Sequence, residues 1–183
     1  MNKIGALFGL NKETDIRGKM KLLRDIGCEC CQVTVWDTSL YTDENAEALV
    51  SASKEYGIEI STLWAGWSGP TRWNFTEGPS MLGIVPETYR MRRTEDILMG
   101  ARFAAKLGVK RIATHAGFLP ENMNDAKYFD VVATLRYIAT ECAELGICFL
   151  FETGQETPTT LLRVIEEIGL DNVGINMDTA NLI

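Results

Sequence analysis

A fully apolar run, Cys148 to Phe151, delivers Glu152 in the stretch CFLFETGQETP. A carboxylate placed where a buried strand emerges costs several kcal/mol unless it is hydrogen-bonded, paired or bound to a cation. Helix capping explains it poorly, because Thr157 and Pro158 already supply the cap and first-turn proline of the following helix. Asp178 repeats the pattern in VGINMDTAN, just past a strand-like run. Taken alone it reads equally well as an Asx-turn residue. Beside Glu152, it makes a pair of carboxylates at the ends of neighbouring strands. Hard divalent cations such as Mg²⁺ or Mn²⁺ need oxygen ligands arranged in this way.

His115, the only histidine, closes the strand-like run in IATHAGF. Its ordinary role would be a hydrogen-bonded structural one, but a place beside the Glu152 strand makes it a candidate site residue. Trp36, Trp64 and Trp67 also end strand-like runs, and Trp73 and Phe75 follow shortly after. Their faces can simply pack, or can stack on the C–H faces of a sugar. Gln155 and Asn181 add amides able to orient a hydroxyl, whereas Glu156 reads as an exposed helix start.

One repeating pattern must position these residues. A short apolar, β-branched run, a turn and a longer segment of helical periodicity recur, with strands beginning near Lys3, Cys30, Ile58, Arg111, Cys148 and Asn172. Helices are expected around 16–26, 43–56, 86–107, 128–145 and from Pro158 to the glycine at 169, with Gly27, Gly57, Gly108 and Gly146 ending the first four. The sixth strand is expected to run through NVGINMDTANLI to Ile183. Such alternation means parallel strands with right-handed crossovers. An open doubly wound sheet and a (β/α)₈ barrel compete. No glycine-rich phosphate loop follows the first strand, and chemistry-bearing residues end nearly every strand, which is how a barrel builds its one site. The reading is an α/β fold of TIM-barrel type with six of eight units, forming one domain over residues 1–183. The long connection 68–85 carries Trp73 and Phe75 and is a candidate lid.

The 183 residues carry 25 acidic and 18 basic side chains, a net charge of −7 that repels phosphate backbones and argues against nucleic acid as a partner. The apolar run IGALFGL is too short to span a bilayer, so no membrane partner is expected. Five cysteines without a framework of spacings read as reduced thiols in a cytoplasmic protein. CECC at Cys28–Cys31 lacks the knuckle spacing and second pair of a zinc site, and strand alternation splits it between two faces.

IATHAGF, FLFETGQET and GINMDTANLI together resemble the xylose isomerase-like (β/α)₈ barrels, as does DIGCECCQV at the entry to the second strand. That superfamily includes sugar isomerases and epimerases, inosose dehydratases and abasic-site endonucleases. The resemblance implies Glu152 as strand-five metal ligand and acid/base, and Asp178 as strand-six metal ligand. It implies a divalent ion, Mn²⁺ or Mg²⁺ before Zn²⁺, and a small carbohydrate contacted by His115, Trp36, Trp64, Trp67, Gln155 and Asn181. The implied reaction is isomerisation or epimerisation by metal-assisted proton transfer through an enediolate. The alternatives are a dehydratase of the same superfamily and a non-catalytic sugar-binding remnant. The nuclease branch is disfavoured, because its D-x-x-H is replaced here by Asp178-Thr179-Ala180-Asn181.

The resemblance also implies a histidine from strand seven and a glutamate from strand eight, but no histidine follows His115 and no glutamate follows Glu167. Six units do not close an eight-stranded barrel. The expectation is therefore half of a metal site in a truncated chain, or completion by a partner chain or a homo-oligomer.

Overall fold

The structure, a computed structural model, describes residues 3–182. The strand-like runs become six parallel strands: β1 Gly5–Leu10, β2 Cys30–Val35, β3 Glu59–Ala65, β4 Arg111–Thr114, β5 Cys148–Glu152 and β6 Val173–Asn176. They pair in the order of the sequence, β1 to β6. The crossovers carry α1 Ile16–Asp25, α2 Asp43–Tyr56, a short α3 Gly78–Met81 followed by the long α4 Glu87–Leu107, then α5 Tyr128–Glu144 and α6 Pro158–Ile168.

Local chemistry sets the helix ends. Asp15, Thr42 and Thr157 accept hydrogen bonds from Gly18, Asn45 and Thr160 backbone N–H groups, and Gly57, Gly108 and Gly169 close their helices in the left-handed conformation. Pro86 serves as the cap of α4 rather than its first residue.

Alternation along the strands separates two faces. Cys31, Val33 and Val35 of β2, and Phe149 and Phe151 of β5, are buried under the helices with Met20, Leu49, Leu135 and Ile138. Gln32, Thr34, Leu150 and Glu152 point to the other, half-open face. Cys30 and Cys31 fall on opposite faces for the same reason, and all five cysteines are free.

The sheet is strongly curled. Gln32 Nε2 of β2 donates to Asn176 Oδ1 of β6 at 3.3 Å. In a flat sheet these strands, four steps apart, would lie about 19 Å from each other at about 4.8 Å per step. Their side-chain contact therefore requires barrel curvature, with β1 and β6 as the two edges of an incomplete barrel. Between them a groove of about 570 Å³ is lined by Lys3, Gln32, Thr62 and Asn176 among others.

The strands stop earlier than the sequence pattern suggests. β6 ends at Asn176 because Asp178 turns the backbone away: its N–H donates to Thr153 Oγ1 at 2.8 Å, and its Oδ1 accepts from Ala180 N at 2.9 Å. A 3₁₀ turn, Thr179–Leu182, follows, and Ile183 lies outside the described residues.

Candidate functional site

Register places the candidate residues at one end of the sheet. Thr114 pairs with Phe151 and Glu152 with Asn176, so His115, Glu152 and Asn176 stand side by side at the strand C-termini. Glu152 is half-buried. Burial raises its pKa above the usual 4.5 and the nearby Asp178 charge pushes the same way, while Asn176 and the Trp64 side chain favour the ionised form. Asn176 Nδ2 donates to Glu152 Oε2, and Gln32 holds the same amide from across the barrel, so the carboxyl is oriented by an interior chain of hydrogen bonds.

Asp178 sits one turn beyond β6, fixed through Thr153, whose Oγ1 donates to the Asp178 carbonyl at 2.9 Å. Asn181 Nδ2 donates to the Thr153 carbonyl at 2.8 Å, so this amide braces the turn that carries Asp178.

His115 is 2% exposed, and burial pulls its pKa from 6.5 to about 4, against a smaller opposing effect of Gln155. Its Nδ1 accepts from Gly117 N at 3.1 Å, which leaves the proton of the neutral ring on Nε2. Nε2 lies over Gly154: a Cβ there would come within 2.0 Å of it. Gln155 approaches the ring without completing a hydrogen bond of good geometry. Thr34 Oγ1, Trp67 Nε1, His115 Nε2 and Gln155 Oε1 are all buried without a hydrogen-bond partner, and all belong to this end of the sheet. Unpartnered buried polar atoms are costly, and these four sit at the same end of the sheet as the candidate residues.

The tryptophans form a continuous wall. Trp36 meets Trp64 at 4.8 Å between ring centroids, Trp67 at 5.4 Å and Trp73 at 6.3 Å, and Trp73 reaches the His115 ring at 5.1 Å. Trp64 and Trp67 are buried, whereas Trp36 and Trp73 are 40% and 52% exposed. Phe75 stands apart and packs on Phe118.

The connection 68–85 is tied down at both ends by a residue the sequence reading passed over. Arg93 of α4 is fully buried and donates to the carbonyls of Ser68, Pro70, Met81 and Gly83 at 2.7–3.0 Å. Its guanidinium lies 4.1 Å from the Trp67 ring centroid and 4.6 Å from that of Tyr89. One turn on, Asp96 accepts from Ser68 N and Oγ. Gly83, at φ +63°, lets this segment lie directly on the end of β4, where a Cβ would meet the Ala116 carbonyl at 1.9 Å. The expected lid thus has anchored ends, while the run 72–77 in its middle is exposed throughout.

Glu156 corrects the sequence reading. It is half-buried rather than exposed, its Oε1 accepts from Gly154 N at 3.2 Å, and burial raises its pKa. It lines a cavity of about 180 Å³ on the α6 side, away from the tryptophan wall. Only the chain reversal after β5 turns it inward, and nothing in QETP signals that.

As metal ligands, Glu152 and Asp178 offer the right donor type, hard carboxylate oxygens, with the Asp178 charge near enough to raise the Glu152 pKa. Among the described residues no set of three His, Cys, Asp or Glu side chains comes together as a metal centre. The fit is therefore that of two ligands.

A curled parallel sheet with its polar site at the strand C-termini defines an α/β protein of TIM-barrel type. The chain belongs to the xylose isomerase-like TIM barrel family, whose family model matches residues 20–183. No curated protein matches it in sequence. Among solved structures it is similar to a xylose isomerase domain protein from Planctomyces limnophilus, with a TM-score of 0.89 and 27% identity over 99% of this chain and 64% of that one. An L-ribulose 3-epimerase follows with a TM-score of 0.74 and 18% identity, covering 100% and 62%. A xylose isomerase-like TIM barrel protein from Mycobacterium smegmatis in complex with magnesium has a TM-score of 0.72 and 16% identity, covering 99% and 66%. The chain thus spans slightly less than two thirds of the length of these structures. No helix among the described residues is long and apolar enough to cross a membrane.

Proposed function

We propose that the chain carries the strand-five and strand-six half of a sugar isomerase/epimerase site. Glu152 is its acid/base, and Glu152 with Asp178 holds a divalent ion, Mn²⁺ or Mg²⁺. The observation that carries this reading is the state of Glu152. It is half-buried, with a raised pKa, oriented by Asn176 and close to Trp64 at the foot of an aromatic wall. A carboxyl raised above its ordinary range by burial holds a proton better than a free one while still able to take one, which suits isomerisation.

When bound, the ion would polarise the carbonyl of an open-chain sugar and acidify the neighbouring C–H. The chain's own residues do the rest. Glu152 takes the proton from that carbon and returns it to the former carbonyl carbon, while the neighbouring hydroxyl proton passes to the former carbonyl oxygen, completing an isomerisation. The wall of Trp36 and Trp73 presents a stacking face to the sugar, and buried Trp64 and Trp67 hold those rings in place. Asn176 and Gln32 keep the Glu152 carboxyl aimed into the barrel. An epimerisation needs a second acid/base on the opposite face, and completion of the barrel would supply it. The family likeness of small-sugar epimerases supports a carbohydrate substrate, and the five free thiols suit the reducing cytoplasm.

Solvent exchange tests the reading. D-Fructose or L-ribulose incubated in D₂O with the protein and Mn²⁺ is expected to lose the NMR signal of the C–H beside its carbonyl. Glu152→Gln is expected to slow that loss by about 10² or more. Mn²⁺ should also raise the melting temperature, and Asp178→Asn should abolish that rise. Equal exchange in wild type and Glu152→Gln would remove Glu152 from the chemistry.

A further inference from the structure

We propose that Gln155 is a specificity-determining residue whose amide N–H groups donate to an oxygen of the sugar beside Glu152, and that buried His115 is the positioning residue that turns the amide this way; this rests on the sugar-site reading above. What its two ends face decides which way an amide points. Gly117 N donates to His115 Nδ1 at 3.1 Å, so the neutral ring carries its one proton on Nε2. The Gln155 side chain lies against this ring and opposes the effect of burial on it, as an oxygen facing an N–H does. Gln155 Oε1 is buried too, and neither it nor His115 Nε2 finds a partner elsewhere.

The ring is held from several sides. Nδ1 is tied to Gly117 N, Nε2 lies over Gly154, and Trp73 stands edge-on at 90° and 5.1 Å. The amide is therefore the group that adjusts, and it adjusts by presenting its oxygen to the fixed N–H. Its other end is then left over. Among the described residues Gln155 Nε2 makes no hydrogen bond, yet it is not sealed off as Oε1 is. Gln155 follows Glu152 by three residues and rests on the ring that also meets Trp73, so its donors stand where the Glu152 strand joins the aromatic wall. Two N–H donors read lone pairs, which a keto or hydroxyl oxygen supplies and a deoxy carbon does not. His115, expected from the sequence to contact the substrate, acts through Gln155 instead.

Deuterium exchange into D-fructose, followed in D₂O with Mn²⁺ over a range of sugar concentrations, separates KM from kcat. Gln155→Leu is expected to raise KM about tenfold, the size of one lost hydrogen bond, with a much smaller change in kcat. His115→Leu frees the amide to turn over and is expected to raise KM about fivefold, whereas His115→Gln, whose Nε2–H can replace that of the ring, restores it to within about twofold. The double variant His115→Leu/Gln155→Leu is expected to be no worse than Gln155→Leu alone, because His115 acts only through the amide. A readout without sugar is the titration of the sole imidazole by NMR. Gln155→Glu sets a carboxylate against Nε2 and should move that titration up from about 4 toward 6.5 or above. Circular dichroism confirms that each variant folds. An unchanged KM in Gln155→Leu, with exchange still dependent on Glu152, would overturn the donor and leave the sugar site standing. Additive losses in the double variant, or a His115 titration that stays near 4 in Gln155→Glu, would overturn the positioning by His115. Absence of exchange in the wild type would overturn the sugar-site reading and the donor with it.

Discussion

Replacing Arg93 by methionine tests how the aromatic wall is held. The side chain donates to four carbonyls, of which those of Ser68 and Pro70 lie near enough to the surface to regain water. The Met81 and Gly83 carbonyls lie deeper, and leaving two such acceptors unmet costs about 4 kcal/mol at about 2 each. Loss of stacking between Trp67 and Tyr89 adds about 2 kcal/mol. Against this, burial lowers the Arg93 pKa from 12.5 to about 10, so holding the charge there costs about 3 kcal/mol that the variant recovers. The expected net loss is about 3 kcal/mol, or a melting temperature lower by about 6–12 °C for a chain of this size. Urea denaturation measures the loss, and trypsin cleavage after Arg72 measures release of the segment it clamps. A loss below about 1 kcal/mol with unchanged cleavage at Arg72 would refute the clamp.

Two further outcomes follow from the ionisable groups. His115 is neutral in the fold down to about pH 4 but titrates near 6.5 when unfolded, so stability is expected to fall as pH drops from 6.5 toward 4. The full difference is about 3 kcal/mol, and as the chain's sole imidazole His115 can be followed by NMR without assignment; a ring titrating near 6.5 in the folded protein would contradict its burial. Glu152 has the opposite sign: its raised pKa means the folded state binds the proton more tightly, so its contribution is lost as pH rises above the usual carboxylate range. Glu152→Gln is therefore expected to melt higher than wild type at pH 7 in the absence of metal, with the gap closing toward pH 4. A variant less stable than wild type at both pH values would count against a desolvated carboxylate.

The parts of the fold that were legible in the sequence depend on short-range chemistry. Thr157-Pro158 and Gly57, Gly108 and Gly169 mark helix ends because capping is settled within a few residues. Glu152 and Asp178 stood out because an apolar run ends in a carboxylate. Arg93 did not, since MRRTED reads as a charged, solvated face. One signal was available: Arg93 shares a helical stripe with Ile97, Gly100, Ala101 and Ala104, which are buried, so its side chain was bound to be buried too. Glu156 and Gln32 had no such signal, because their partners, Gly154 N and Asn176, are brought to them only by the turn after β5 and by the curl of the whole sheet.

The contact between Gly154 and His115 joins two distant positions into one inheritable unit. A side chain at 154 displaces the imidazole, and a smaller residue at 115 opens the space that the nearest neighbour of residue 154 now fills. Substitutions at the two positions should be strongly non-additive, tolerated as a pair where neither is tolerated first. Efforts to reshape this pocket would have to vary both together, because a library that changes one position at a time cannot reach the alternatives.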